Sequence, residues 1–213
     1  MLLGAHGFIG DTHAGEKRIS RRTGKLKWND RQISLVGKEA IDYLNKHLSL
    51  SLKPGDLAEN ITTEGLGDLS NLREGHILIV GGVVFVVTEQ NDPCSNLALY
   101  HKLLVKESYG RRGVLAVVER GAGVLLRPGM TIDLIDKAEV LSRANKIVLP
   151  YGLSAEFLEG IYSVGVQGDE RSYLPVLCLI GSMRVDDPHL PQISNELTNT
   201  LPINRVTLEM ARG

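Results

Sequence analysis

The stretch His76 to Thr88 constrains the fold more than any other part of the chain. Two apolar segments, Ile77-Leu-Ile-Val80 and Val83-Val-Phe-Val-Val87, flank Gly81-Gly82. β-Branched and aromatic side chains favour extended backbone. A two-residue connection between paired strands needs positive φ, which glycine adopts without steric cost. The run predicts a buried β-hairpin, and the rest of the chain must pack around it. Composition agrees: 23 glycines against 5% aromatic residues suit many tight turns, and leave little for stacking bases.

Further elements follow from local pattern. Arg31 to Val36 reads as a strand, and Gly37 to Leu48 as a helix with Ile41, Leu44 and Leu48 on one face. Lys53-Pro-Gly-Asp56 is a turn, Asn60 to Thr63 is strand-like, and Ser95 to Tyr109 has helical spacing of Leu99 and Leu103. Val114 to Val118 and Thr131 to Ile135 read as strands, while residues 1–32 read mostly as loop. Together these predict a mainly β domain, a compact barrel with helical insertions, over residues 1–140. Residues 141–213 have another rhythm: strands at Ile161 to Val166 and Leu174 to Ile180, a helix at Pro191 to Leu201, and a strand at Ile203 to Met210. This small α+β unit, β-β-α-β, buries little core alone. It is expected to dock on the first domain, on a second copy, or on both.

Several classes are excluded on this reading. The 213 residues carry a formal charge of -1, which gives no global pull toward nucleic acid or acidic lipid. No apolar run approaches the roughly 18 residues that span a bilayer. The first residues lack the charged and apolar regions of a signal peptide. Cys94 and Cys178 do not make a disulfide framework, so a reducing cytoplasm suits the chain. Nucleic acid and membrane are therefore not expected partners. The basic stretch Glu16 to Lys27 reads as a solvated loop, or as a rim that attracts an anion.

Cys94 is the sharpest candidate for chemistry. It sits in Asn91-Asp-Pro-Cys-Ser-Asn96, between the apolar hairpin and a predicted helix. A thiol at a helix N-terminus meets unpaired N–H groups and a positive dipole end, both of which favour thiolate. A thiolate attacks, carries sulfur or ligates a soft metal; the alternative is an inert small hydrophobe. Cys178 lies inside an apolar strand and reads as core. Gly7 to Gly15 frees backbone amides to approach an anion, with Asp11 and His13 adding polar reach, or else is a surface loop. Glu59-Asn60 is a binding pair or a capped loop, and Arg111-Arg112 is a phosphate clamp or a solvated charge pair. No zinc-type spacing of Cys and His occurs.

In order, the chain carries Gly10-Asp-Thr-His-Ala-Gly15, Arg31-Gln-Ile-Ser-Leu35, Pro54-Gly-Asp-Leu-Ala-Glu-Asn-Ile-Thr-Thr63, Leu72-Arg-Glu-Gly75, Asn91-Asp-Pro-Cys94 and Arg112-Gly-Val-Leu-Ala-Val-Val118. This series resembles the MOSC domain, named for the C-terminal domain of molybdenum-cofactor sulfurase, over roughly residues 4–136. The resemblance implies a β-barrel and a cysteine, here Cys94, that carries sulfur or binds the molybdenum of a pterin cofactor. Relatives include bacterial proteins that reduce N-hydroxylated compounds. By the same matching, Asp11, His13, Arg31, Asn60, Asp92 and Arg112 line the pocket. Arg31 and Arg112 would hold the pterin phosphate, Asn60 and the backbone near Asp92 would orient pterin or thiolate, and His13 would move a proton. A cysteine desulfurase or an electron-donor protein is the partner such chemistry implies. Family members carry strands before the Gly-Asp-x-His stretch, whereas Met1 lies nine residues before Gly10. An open barrel edge or a second segment filling it is expected. The competing reading is a non-catalytic dimeric module that binds a pterin or nucleotide.

Ser163-Val-Gly-Val-Gln-Gly-Asp-Glu-Arg-Ser-Tyr173 and Ile193 to Thr207 are similar to the C-terminal dimerisation domain of GMP synthase. That likeness implies a homodimer. No ATP loop or glutaminase segment accompanies it, so GMP synthesis is excluded on the residues present. Asp169, Arg171 and Arg205 are candidate anion contacts, although ordinary surface charge is the favoured reading for all three.

Overall fold

The computed structural model describes residues 1–20, 23–167 and 170–209. The chain divides into two compact units, Met1–Ile132 and Asp133–Gly213.

The hairpin forms as its sequence requires. Strands β7 (Ile77–Val80) and β8 (Val83–Gln90) pair antiparallel, with Val80 opposite Val83. Gly81 and Gly82 both hold positive φ, 55° and 80°, the signature of a tight hairpin turn whose twist matches its strands. Earlier in the chain come β1 (Leu3–Gly4), β2 (Gly7–Phe8), β3 (Lys17–Ile19), β4 (Leu26–Trp28), β5 (Ile33–Gly37), helix α1 (Lys38–Leu48) and β6 (Ile61–Thr63). After the hairpin come α2 (Leu104–Glu107), β9 (Val114–Arg120) and β10 (Ile132–Ile135). Six strands make one curled half-barrel sheet in the order β10-β7-β8-β9-β5-β6. Its neighbours are antiparallel at β7–β8, β8–β9 and β9–β5, and parallel at β5–β6. A mainly β, barrel-type fold with helical insertions is what the sequence predicted.

Two apolar clusters hold this unit. Inside the curl, Leu3, Phe8, Ile33, Leu35, Leu78 and Phe85 are fully or almost fully buried. On the outside, α1 buries Ala40, Ile41 and Leu44 against Val36, Leu52, Leu57, Leu97 and Leu104. Each fully buried leucine or isoleucine contributes roughly 1.5–3 kcal/mol of transfer free energy. Gly113 lets β9 approach β5, because a Cβ there would lie 1.9 Å from the Leu35 carbonyl oxygen.

Residues 1–32 depart from the predicted loop. β1 pairs with β2 and β3 with β4, as separate two-stranded sheets. Elements of two or three residues are too short to print a period in the sequence. Met1–Leu3 runs along Val124–Leu126: the Leu3 amide donates to the Val124 carbonyl (2.9 Å) and the Leu126 amide to the Met1 carbonyl (3.0 Å). The Ser95 to Tyr109 helix also fails to form as one element. A 3-10 turn spans Ser95–Leu99, and α2 is a separate single turn. Of Leu99, Leu103 and Leu104, expected to face inward, the first two are exposed and Leu104 is fully buried.

The second unit contains α3 (Lys137–Val148), β11 (Ser154–Gln167), β12 (Glu170–Ile180), α4 (Leu190–Thr200) and β13 (Arg205–Leu208). β11 and β12 are antiparallel, while β12 and β13 are parallel. The β-β-α-β order is as expected, and α3 precedes it unforeseen. Asp136 caps α3 by accepting from the amides of Ala138 (2.9 Å) and Glu139 (3.1 Å). Pro175 is tolerated in the central strand because a register shift in β11, between Phe157 and Tyr162, falls beside it. Among the described residues, no helix is long and apolar enough to cross a membrane.

Candidate functional site

The Gly7 to Gly15 loop is fixed from beneath by Asn29. This buried side chain donates to the carbonyls of His13 (2.8 Å) and Gly15 (2.9 Å). The loop then presents Asp11. One carboxylate oxygen accepts from the His13 amide at 2.8 Å and lies 3.3 Å from the His13 ring nitrogen Nδ1. The other accepts from the Asn60 amide nitrogen. Asn60 in turn accepts at Oδ1 from the Ser34 amide (2.8 Å) and hydroxyl (3.0 Å). A continuous polar chain thus runs His13–Asp11–Asn60–Ser34 and ties the loop to β5 and to the segment entering β6. Burial works against ionisation of Asp11. The His13 amide, the Asn60 amide and the His13 ring outweigh it and hold the carboxyl below its usual range.

Arg112 lies just before β9 and is 6% exposed. Its Nη2 donates to the Leu57 carbonyl, while Nε and Nη1 are buried with no partner. Burial lowers the Arg112 pKa, opposed by the nearby charges of Glu59 and Cys94; the guanidinium stays cationic. Glu59 uses Oε1 to accept from the Gly55 amide and the Thr62 hydroxyl, each at 2.7 Å. Its Oε2 is buried and unpartnered. A cation with two free donors therefore sits near a carboxylate with a free acceptor, and no direct bond joins them.

Cys94 is exposed and lies within the electrostatic reach of Arg112. The backbone explains the approach: the Asn91 amide donates to the Gly113 carbonyl at 2.9 Å, so the Asn91 to Cys94 segment leaves the sheet beside Arg112. The helix-dipole argument for Cys94 does not hold. The element that follows is a five-residue 3-10 turn, too short to align many peptide dipoles. The neighbouring positive charge is Arg112 instead.

Of the residues singled out in sequence, Asp11, His13 and Asn60 share one hydrogen-bonded chain, and Arg112 and Cys94 are electrostatic neighbours. Arg31 is tied elsewhere, in an ion pair with Glu89 (2.5 Å) on β8. Asp92 is exposed and enters no ion pair among the described residues. Cys178 is half-buried in β12. Asp169 and the side chain of Arg171 lie outside what the structure describes, and Arg205 is exposed at the start of β13. Sequence reasoning missed Ser34 and Glu89. Glu59 was visible only as one half of an undecided pair. Its signal was the Pro-Gly turn four residues earlier, whose amide needs an acceptor.

Among the described residues, no cluster of three or more His, Cys, Asp and Glu side chains is placed to hold a metal ion. A metal here would have Cys94 as its protein ligand and take its other ligands from a cofactor. Arg112 fits such a group, since two buried donors without partners have capacity for an anionic acceptor.

The sequence profile of the MOSC domain matches residues 10–137. No curated protein matches the chain. Among solved structures, the YuaD protein of Bacillus subtilis is 26% identical with a TM-score of 0.51, covering 55% of this chain and 75% of its own. YiiM of Geobacillus stearothermophilus is 24% identical with a TM-score of 0.46, covering 52% of this chain and 57% of its own. YiiM of Escherichia coli is 20% identical with a TM-score of 0.45, covering 63% and 61% respectively. The family profile spans well over half of the 213 residues, and it takes in Asp11, His13, Asn60, Cys94 and Arg112: the chain belongs to the MOSC-domain family.

Proposed function

We propose that this protein binds a molybdenum-pterin cofactor, with Cys94 as its sulfur ligand, and uses it to reduce N-hydroxylated small molecules or to pass on sulfur. The observation that carries the reading is an exposed thiol within electrostatic reach of a buried arginine with two unused donors. When bound, the cofactor would supply a soft metal that takes up oxygen or sulfur.

The chain's own residues have separable tasks. Cys94 offers a soft donor from an accessible turn. Arg112 offers two buried N–H donors to an anionic group and keeps positive charge near the sulfur. Asn60 fixes Asp11 against β5, and Asp11 orients the His13 ring. That ring is exposed, so it can take a proton from solvent and present it at the site. Arg31, half-exposed and neutralised by Glu89, would meet the phosphate of the cofactor only by giving up that partner. Asp92 would contribute through its backbone. In the carrier version, the Cys94 thiolate attacks the outer sulfur of a persulfide on a cysteine desulfurase. The sulfur–sulfur bond of the donor breaks, the donor leaves as a thiolate, and Cys94 becomes the persulfide.

In the same reading, residues 1–140 hold the site and residues 141–213 pair two copies of the chain, as the likeness of Ser163 to Tyr173 to the GMP synthase dimerisation domain implies. Metal analysis of freshly purified protein tests the cofactor, with Cys94→Ser beside wild type. Stoichiometric molybdenum that disappears in the variant is expected. Molybdenum retained by Cys94→Ser, with no one-sulfur mass gain on wild-type Cys94 after incubation with a desulfurase and cysteine, overturns the reading.

A further inference from the structure

The β3–β4 hairpin forms where the sequence predicts a solvated basic loop or a rim that attracts an anion, and no residue of it is assigned a task at Cys94. Its register puts Ile19 opposite Leu26 and Lys17 opposite Trp28 on one face, with Arg18 opposite Lys27 on the other. The apolar row is open to solvent: Ile19 is 66%, Leu26 65% and Trp28 52% exposed. Exposed large side chains aligned in one row are unusual on a surface and mark contact sites. Arg18 and Lys27 share Asp30, whereas Lys17 and Lys25 enter no ion pair among the described residues. In sequence, residues 16–27 hold six cations and one carboxylate, in a chain whose net charge is -1. Positive charge is therefore concentrated in this stretch of sequence, with Lys17, Arg18 and Lys27 on the two paired strands.

Among the described residues, the outer edge of each strand of this two-stranded sheet is unpaired. Such an edge accepts an added strand, with main-chain hydrogen bonds giving affinity and alternate side chains giving specificity. The hairpin stands next to the loop that carries Asp11 and His13. Trp28 meets His6 edge-on at 5.6 Å, and Asn29, the residue after β4, holds the carbonyls of His13 and Gly15.

We propose that this hairpin docks a partner protein through an extended segment of that partner, in which apolar and acidic side chains alternate, added as a third strand. Apolar side chains of the segment cover Ile19, Leu26 and Trp28, and its carboxylates meet the lysines and arginine. The inference does not depend on which chemistry Cys94 performs.

Trp28 is the sole tryptophan of the chain, so its fluorescence reports on the face directly. The probe is a capped octapeptide alternating valine and glutamate. Its valine–lysine counterpart and a version N-methylated on alternate amides are the controls. Saturable binding of the acidic peptide with a blue shift of Trp28 emission is expected. Affinity should fall at least tenfold for the lysine peptide, for the methylated peptide and for the Ile19→Asn/Leu26→Asn variant, shown by circular dichroism to be folded. Absence of binding by the acidic peptide, or equal binding by the controls or the variant, overturns the proposal. A blue shift with phosphatidylglycerol vesicles but not with peptide, or one that grows with protein concentration alone, overturns it too: the first assigns the face to a bilayer, the second to another copy of the chain.

Discussion

The pairing of Arg112 with Glu59 is testable as a coupling energy. Arg112→Met removes the cation, the bond to the Leu57 carbonyl and two buried donors that lack partners. The lost charge-assisted bond costs about 1.5–3 kcal/mol, and each removed orphan donor returns about 1–3 kcal/mol. Two such donors return about 2–6 kcal/mol, which offsets the lost bond or exceeds it. What remains is Glu59, left with a buried Oε2 and no cation nearby. Stripping one partner from a directly bonded buried pair costs about 3–5 kcal/mol. Glu59 is only half-buried and not bonded to Arg112, so at most about 2–3 kcal/mol is expected for Arg112→Met. Glu59→Gln, which strands the guanidinium, should cost a similar amount. In the double variant neither charge is left alone, and the total should stay near 3 kcal/mol. Urea denaturation of the four proteins measures this cycle, with an expected coupling of about 2 kcal/mol in favour of the pair. Additivity within about 0.5 kcal/mol would refute the reasoning, because independent sites add to that precision.

Other substitutions probe the remaining parts. Asn60→Ala removes the acceptor of the Ser34 amide and the donor to one Asp11 oxygen, and should cost about 2–3 kcal/mol by urea denaturation, with an unchanged circular dichroism spectrum. Gly113→Ala places a methyl group against the Leu35 carbonyl at a φ of 76°, and should cost at least about 4 kcal/mol or prevent accumulation of folded protein. Asp30, drawn down to about 2 by Lys27 and Arg18 against its burial, stabilises the fold above its unfolded pKa near 3.9. That stabilisation is lost as pH falls from about 4 to about 2. Asp30→Asn should flatten the urea midpoint over that window, and an unaltered slope would count against the ion pairs.

Much of the first unit was legible because its signals are local. Gly81-Gly82 between two apolar runs specifies a hairpin without help from the rest of the chain. The spacing of Ile41 and Leu44 specifies the buried face of α1. What stayed hidden depends on tertiary contacts. Two-residue strands such as β1 form because Val124–Leu126 lies beside them, and nothing in Met1 to Phe8 announces that. Helix α3 carries the spacing Val140, Ala144, Val148 behind a capping Asp136. One of its three anchors is alanine, which blurs the apolar period. Cys94, Asp11 and His13 stood out by residue type. The burial of Arg112 did not, because an arginine before a strand is ordinarily solvated, and only the position of the Leu57 carbonyl reveals what this one does.

That burial reorganises the electrostatics of the site. A rim arginine would attract anions from a distance, screened by salt beyond roughly 8 Å at physiological ionic strength. Arg112 is buried and tied to the Leu57 carbonyl, so its charge is felt at short range: by Glu59, by Cys94, and by whatever accepts from its two idle donors. Gly113 makes this arrangement buildable. By tolerating the Leu35 carbonyl at a distance no side chain permits, it draws β9 against β5, and the same residue's carbonyl holds Asn91. One glycine thereby fixes the start of β9, just after Arg112, and the exit of the segment that bears Cys94. The Arg-Gly step is thus a geometric unit: the first residue supplies the charge, and the second sets which sulfur feels it.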